Sequence, residues 1–185
     1  KCIHICKSTS RETLGHASDA DLKRLLKEPL HHISGDKILV ITYHQINGKL
    51  FAGRILKACK KIDGSKNFQV HHYQGSRGIN VFKDYDAVIC IGLPYVNLTD
   101  NYQDACLLFP EKSDSELRDS WADLCMNWEL LQAIHRTRPV NKESIEIVVV
   151  ANQWPEMLPE PNKVLDCSHN EHWKELAINR LLPAV

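Results

Sequence analysis

The chain has 185 residues, 43% hydrophobic and 25% charged, with 23 Lys+Arg balanced by 23 Asp+Glu. That length suits one well-buried domain rather than two, and the composition is that of an ordinary soluble globular domain. No apolar run approaches the roughly 20 residues of a membrane span, and seven scattered cysteines read as reduced thiols of a cytoplasmic protein, not as a disulfide scaffold.

The zero net charge hides an asymmetry. Residues 1–83 carry 15 Lys+Arg and 6 Asp+Glu, while residues 84–185 carry 8 and 17, so the halves are +9 and −9. A basic half can attract an anionic polymer, although charges separated along a chain also intermix when it folds. The chain opens at Lys1 without a basic-then-apolar leader, as a piece of something longer would.

In chain order, Cys2, His4 and Cys6 alternate along a strand. Ser18-Asp19-Ala20-Asp21 starts a helix with Leu22, Leu25 and Leu26 that Pro29 should end. Residues 1–36 therefore read as a lead-in segment with a short helix, and residues 37–185 as the main domain. Lys37-Ile38-Leu39-Val40-Ile41-Thr42-Tyr43 is the near-continuous apolar run of a strand buried on both faces. Residues 48–61 read as a helix, with Leu50, Ala52, Ile55, Leu56 and Cys59 on its apolar side. Residues 68–73 and 86–91 are further strands. After an irregular stretch, Ser113-Asp114-Ser115-Glu116 forms a capping box. The helix behind it carries Leu117, Trp121, Leu124, Trp128 and Leu131 on one expected core face and should end near Thr137, because the residue before Pro139 is driven out of the helical region. Residues 144–150 form another buried strand, and residues 172–182 a closing helix. Strands separated by helices imply βαβ units and a mostly parallel sheet.

Two motifs carry chemistry. Gly75-Ser76-Arg77-Gly78-Ile79-Asn80 places two glycines three apart, so that backbone amides can approach a phosphate, with Arg77 as a fork-shaped cation and Asn80 as an amide. Taken alone, such glycines are more often plain turn formers. Downstream, Gln132-Ala133-Ile134-His135-Arg136-Thr137-Arg138-Pro139 puts Gln132 and Arg136 one helical turn apart.

With Asp86-Ala87-Val88-Ile89 between them, these motifs follow the order found in superfamily 2 nucleic-acid helicases. Residues 37–150 resemble the second motor lobe of that family. The run Ile91-Gly92-Leu93-Pro94-Tyr95 and the long insertion after it are most similar to the branch containing the iron–sulfur helicases. The resemblance implies a RecA-like three-layer α/β domain, with a mostly parallel sheet and helices on both faces. It implies that Gln132, Arg136 and Arg138 face ATP, and that Thr42, Tyr43, His44, Ser76, Arg77, Gly78 and Asn80 hold one nucleic-acid strand, DNA rather than RNA. His135 stands where the family has Gly, and Pro139 where it has the finger arginine. Either Arg138 takes the finger role or the ATP contact is weakened.

No Gly-x-x-x-x-Gly-Lys-(Ser/Thr) and no Asp-Glu-x-(Asp/His) run occurs. The resemblance thus implies that ATP and Mg²⁺ are bound mainly by an N-terminal RecA-like lobe of the full-length protein, and that this chain alone is inactive. A structural metal is not expected. Cys2, His4 and Cys6 spread along a straight strand at about 6.8 Å per step, too far apart to close on one zinc. The alternative to a motor lobe is a non-catalytic α/β module that docks a partner or nucleic acid.

Overall fold

The computed structural model describes residues 1–75, 81–95 and 102–166. Of the sequence expectations, the turn residues Ser76, Arg77, Gly78 and Asn80 and the helix over 172–182 lie outside the described residues. The elements run β1 (Cys2–Cys6), α1 (Arg11–His16), α2 (Asp19–His31), β2 (Lys37–Thr42), a small hairpin of β3 (Gln45–Ile46) and β4 (Lys49–Leu50), α3 (Ala52–Ile62), β5 (Asn67–His72), β6 (Ala87–Ile91), α4 (Tyr102–Leu108), α5 (Asp114–His135), β7 (Glu146–Ala151) and β8 (Lys163–Asp166).

Six strands form one sheet in the order β5-β2-β6-β7-β1-β8. Every pairing in it is parallel, for example Ile38 beside Ala87, Ala87 beside Glu146, and Cys2 beside Ile147. The physical cause is the continuous apolar character of the inner strands. Ile38–Ile41, Ala87–Ile91 and Val148–Ala151 are wholly buried, which only a sheet covered on both faces permits. The crossovers β1→β2 and β2→β5 run one way along the sheet, and β6→β7 runs the other. Right-handed crossovers therefore place α2 and α3 on one face and α5 on the opposite one. The result is the RecA-like three-layer α/β architecture.

The first 36 residues are not a lead-in. Cys2, Ile3, His4 and Ile5 are buried, and β1 is an interior strand between β7 and β8. Its alternating Cys/His pattern concealed a strand covered on both faces. α2 also passes through Pro29 to His31. Pro29 has no N–H to offer the Leu25 carbonyl, and the burial of Pro29 and Leu30 offsets that lost bond. The N-terminus of α2 is the expected one: Ser18 and Asp21 cap it reciprocally. α3 starts later than expected, at Ala52, because Asn47 and Gly48 turn a hairpin instead.

α5 begins at its capping box, and its helical hydrogen bonding ends at His135. Its expected single core face is corrected: Trp128 is 51% exposed, while Trp121 is buried. Leu117 and Trp121 pack with Ala105, flanked by Phe109 and Cys125, in a small cluster against α4. Met126, Leu130, Ala133 and Ile134 enter the main core. At 100° per residue these two sets lie on opposite sides of the helix. α5 therefore changes partners along its length, and the seven-residue stripe turns Trp128 to solvent where the helix meets the sheet.

Candidate functional site

The two residue sets expected to act occupy opposite edges of the sheet. Thr42, Tyr43 and His44 lie where β2 ends. Arg138 lines a cavity of about 1010 Å³ with Gly35, Asp86 and Glu146, which sit where β2, β6 and β7 begin. Strands of five or six residues separate the edges by about 16–20 Å.

At the carboxyl edge, β2 and β6 are neighbours whose connections leave in opposite directions. The chains diverge there and open a crevice, the position at which open α/β sheets receive ligands. Tyr43 stands in it as a structural post. Its hydroxyl donates to the carbonyls of Leu93 at 3.0 Å and Thr9 at 3.4 Å, joining the exits of β6 and β1. Burial pushes the Tyr43 phenol up to about 12, against the opposing pull of the Arg11 charge. Behind it, the Tyr73 hydroxyl donates to Gly92 O at 2.7 Å, and burial raises the Cys90 thiol to about 12. Gly92 has φ +76°, and a Cβ there would lie 2.5 Å from the Tyr43 hydroxyl. Both the backbone angle and the tyrosine ring exclude a side chain, so the Gly92-Leu93-Pro94 run belongs to the Tyr43 post.

Of the three residues expected to hold a strand at β2, only His44 presents its side chain to solvent. Thr42 is fully buried, and its hydroxyl has no hydrogen-bond partner. Tyr43 is 6% exposed. A strand buried on both faces turns alternate side chains into one layer or the other, so Thr42 and Tyr43 shape the edge and His44 meets what lies beyond it. The His44 and His72 rings stack at 4.3 Å with a 39° tilt, and His72 Nδ1 lies 2.8 Å from Tyr73 O. Gly75 lies against the His72 imidazole so closely that a Cβ would overlap the ring at 1.9 Å. Burial lowers the His71 pKa, with a further contribution from His72. Two stacked imidazoles thus stand beside Gly75, at the end of the turn over residues 73–75.

At the amino edge two carboxylates tie the strands together. Asp86 Oδ2 accepts from the amides of Asp36 and Lys37 at 3.1 and 2.9 Å. Glu146 accepts from Ser34 N at 2.8 Å and Gly35 N at 3.2 Å. Burial alone would raise the Glu146 carboxyl, but these amides and the Ser34 hydroxyl bring it below the usual range. The Asp86 of the family-like strand motif is therefore a clamp on the start of β2.

Gln132 is exposed and one turn before Arg136, as its spacing implied. Arg136 caps α5 and is half-buried, with its Nε enclosed and unpartnered. Arg138 is exposed and adopts a left-handed backbone, φ 49° and ψ 59°, immediately before a 3-10 turn at Pro139–Asn141. Proline rejects an α-helical predecessor, and here the left-handed region supplies the exit. Lys83 and Lys142 share the cavity with Arg138. Lys142 Nζ donates to Tyr85 O.

The crevice also contains residues that the sequence reading passed over: Ser8, Thr9, Ser10 and Arg11, directly after β1. Their signal was a hydroxyl-rich run ending in arginine at a strand exit, hidden because residues 1–36 read as outside the domain. Among the described residues no helix is long and apolar enough to cross a membrane, and the six described cysteines are free thiols. No three His, Cys, Asp or Glu side chains converge as a metal site there. No protein-family model, curated protein or solved structure matches the chain.

Proposed function

We propose that this chain is the second RecA-like motor lobe of a cytoplasmic, ATP-dependent superfamily 2 helicase or translocase. The observation that carries the reading is the fold itself. A sequence with the family's order of Gly78-Ile79-Asn80, Asp86-Ala87-Val88-Ile89 and Gln132-x-x-x-Arg136 has the all-parallel α/β sheet that this order implies. The exposed Gln132, the half-buried Arg136 with its unpartnered Nε and the exposed Arg138 form one end of α5. ATP and Mg²⁺, bound mainly by a first lobe, would draw Arg136 and Arg138 inward, and hydrolysis would release them. His44 and the turn from Gly75 through Asn80 would grip one strand, DNA in preference to RNA, through phosphate and sugar.

The test is nucleic-acid-stimulated ATP hydrolysis by the full-length protein. Arg136→Ala should lower turnover severely, and loss of the true finger should cost about 10³–10⁵-fold. Arg138→Ala decides whether the shortened spacing still supplies that finger. Parental turnover with both arginines replaced would remove the motor reading and leave a non-catalytic docking or nucleic-acid-binding module.

A further inference from the structure

Ser8, Ser10 and Arg11, together with Tyr43, Tyr95 and Asn152, line a cavity of about 360 Å³ at the carboxyl edge. It opens where β1, β2, β6 and β7 end, and its volume is at the small end of the roughly 300–1,000 Å³ of ligand pockets. No carboxylate lines it. The three larger cavities differ: Asp84, Asp86, Glu143 and Glu146 line the one at the amino edge, Asp119, Asp123 and Glu156 the one beneath α5, and Glu28 and Asp63 the one between α2 and α3.

Arg11 supplies the charge. Its guanidinium carbon lies 5.1 Å from the centroid of the Tyr43 ring, and among the described residues no carboxylate pairs with it. An arginine resting on an aromatic ring keeps its fork of N–H donors in a defined place. Hydroxyls supply the direction. Ser10 Oγ accepts from Thr13 N at 3.2 Å and lies 2.9 Å from Thr13 Oγ1, which in turn lies 3.3 Å from Ser8 Oγ. Either hydroxyl of each pair can donate, and in the arrangement where Ser10 donates to Thr13 and Thr13 to Ser8 the Ser8 proton faces a ligand. Asn152, exposed at the end of β7, adds an amide with two further donors. A cavity with a fork-shaped cation, a hydroxyl and an amide, and without an opposing carboxylate, matches one chemistry.

We propose that this crevice is a phosphate site, with Arg11, Ser8 and Asn152 as its donors. The recognition is the same whether the phosphate belongs to a single strand crossing the edge beside His44 or to a free nucleotide. Only the first source rests on the function proposed above.

Labelled oligothymidylate and labelled ADP, titrated separately into the full chain, distinguish the sources. Arg11→Gln should weaken whichever ligand the parent binds by about ten- to a hundredfold, the worth of a hydrogen bond to a charged group. For the oligonucleotide it should also flatten the salt slope by about 0.7. Asn152→Ala, at a second exposed position, should weaken the same ligand about three- to tenfold. Arg11→Lys should recover the salt slope but only part of the affinity, because the fork is lost. Arg11-dependent binding of ADP without oligonucleotide binding supports the phosphate site and overturns the strand reading. Oligonucleotide binding that neither Arg11→Gln nor Asn152→Ala alters, with no binding of ADP, overturns the phosphate site and leaves the strand reading standing. A parent chain that binds neither ligand overturns both.

Discussion

Gly92 shows how one residue can set the geometry of an edge. Its φ of +76° and the Tyr43 ring beneath it both require the absence of a side chain. Gly92→Ala forces a Cβ against the phenol and into a left-handed backbone, so we expect a loss of about 2–4 kcal/mol, combining overpacking with the conformational cost. Urea unfolding followed by tryptophan fluorescence measures it, and a loss below about 1 kcal/mol would mean that Tyr43 is not held against this backbone. The importance of Gly92 was only half legible. Ile91-Gly92-Leu93-Pro94 announced a strand followed by a turn, but nothing local to it shows that Tyr43, 49 residues earlier, would lie under the glycine. Thr42 and Tyr43 were likewise legible as the end of a buried strand, but what covers them was not, because that depends on the exits of β1 and β6.

Among the elements, α5 separates pattern from partner. Leu117, Trp121, Leu124, Trp128 and Leu131 form one stripe on paper. The helix instead contacts α4 with one side of its first half and the sheet with the other side of its second half. Leu130→Ala should therefore cost about 2–5 kcal/mol as a core truncation. Trp128→Ala, at a position 51% exposed, should stay within about 0.5 kcal/mol. Paired thermal melts give the comparison, and equal losses would restore the single-stripe packing. The two ends of α5 were legible because capping chemistry is local. Ser113 and Glu116 cap it reciprocally, and Pro139 stops it through the backbone of Arg138.

At the scale of the molecule, the sheet makes the first strand indispensable. β1 separates β7 from β8 and pairs with both along its length. Removing residues 1–36 would strip β7 of one neighbour, leave β8 with no partner among the described strands, and remove α2 from α3, where Arg54 now donates to Asp19 at 3.1 Å and to Ala17 O at 2.7 Å. An exposed, apolar β7 edge is also a template for aggregation. The truncated chain should lack a cooperative unfolding transition, read by circular dichroism. A sharp transition near that of the full chain would show that residues 37–185 form the domain by themselves.

The sequence by itself determined the fold class and most inner strands, because continuous apolar runs at 37–43, 86–91 and 144–150 allow little but a parallel sheet covered on both faces. It also determined the start of α2 and both ends of α5, where a cap or a proline acts within a few residues. Tertiary structure alone decided which strands became neighbours. That placed β1 inside the sheet, put the Thr42–His44 edge and Arg138 at opposite ends of it, and brought Ser8 and Arg11 to Tyr43 and Asn152. These outcomes depend on long-range crossovers, and pairing across such distances leaves no periodicity in either segment for a local reading to detect.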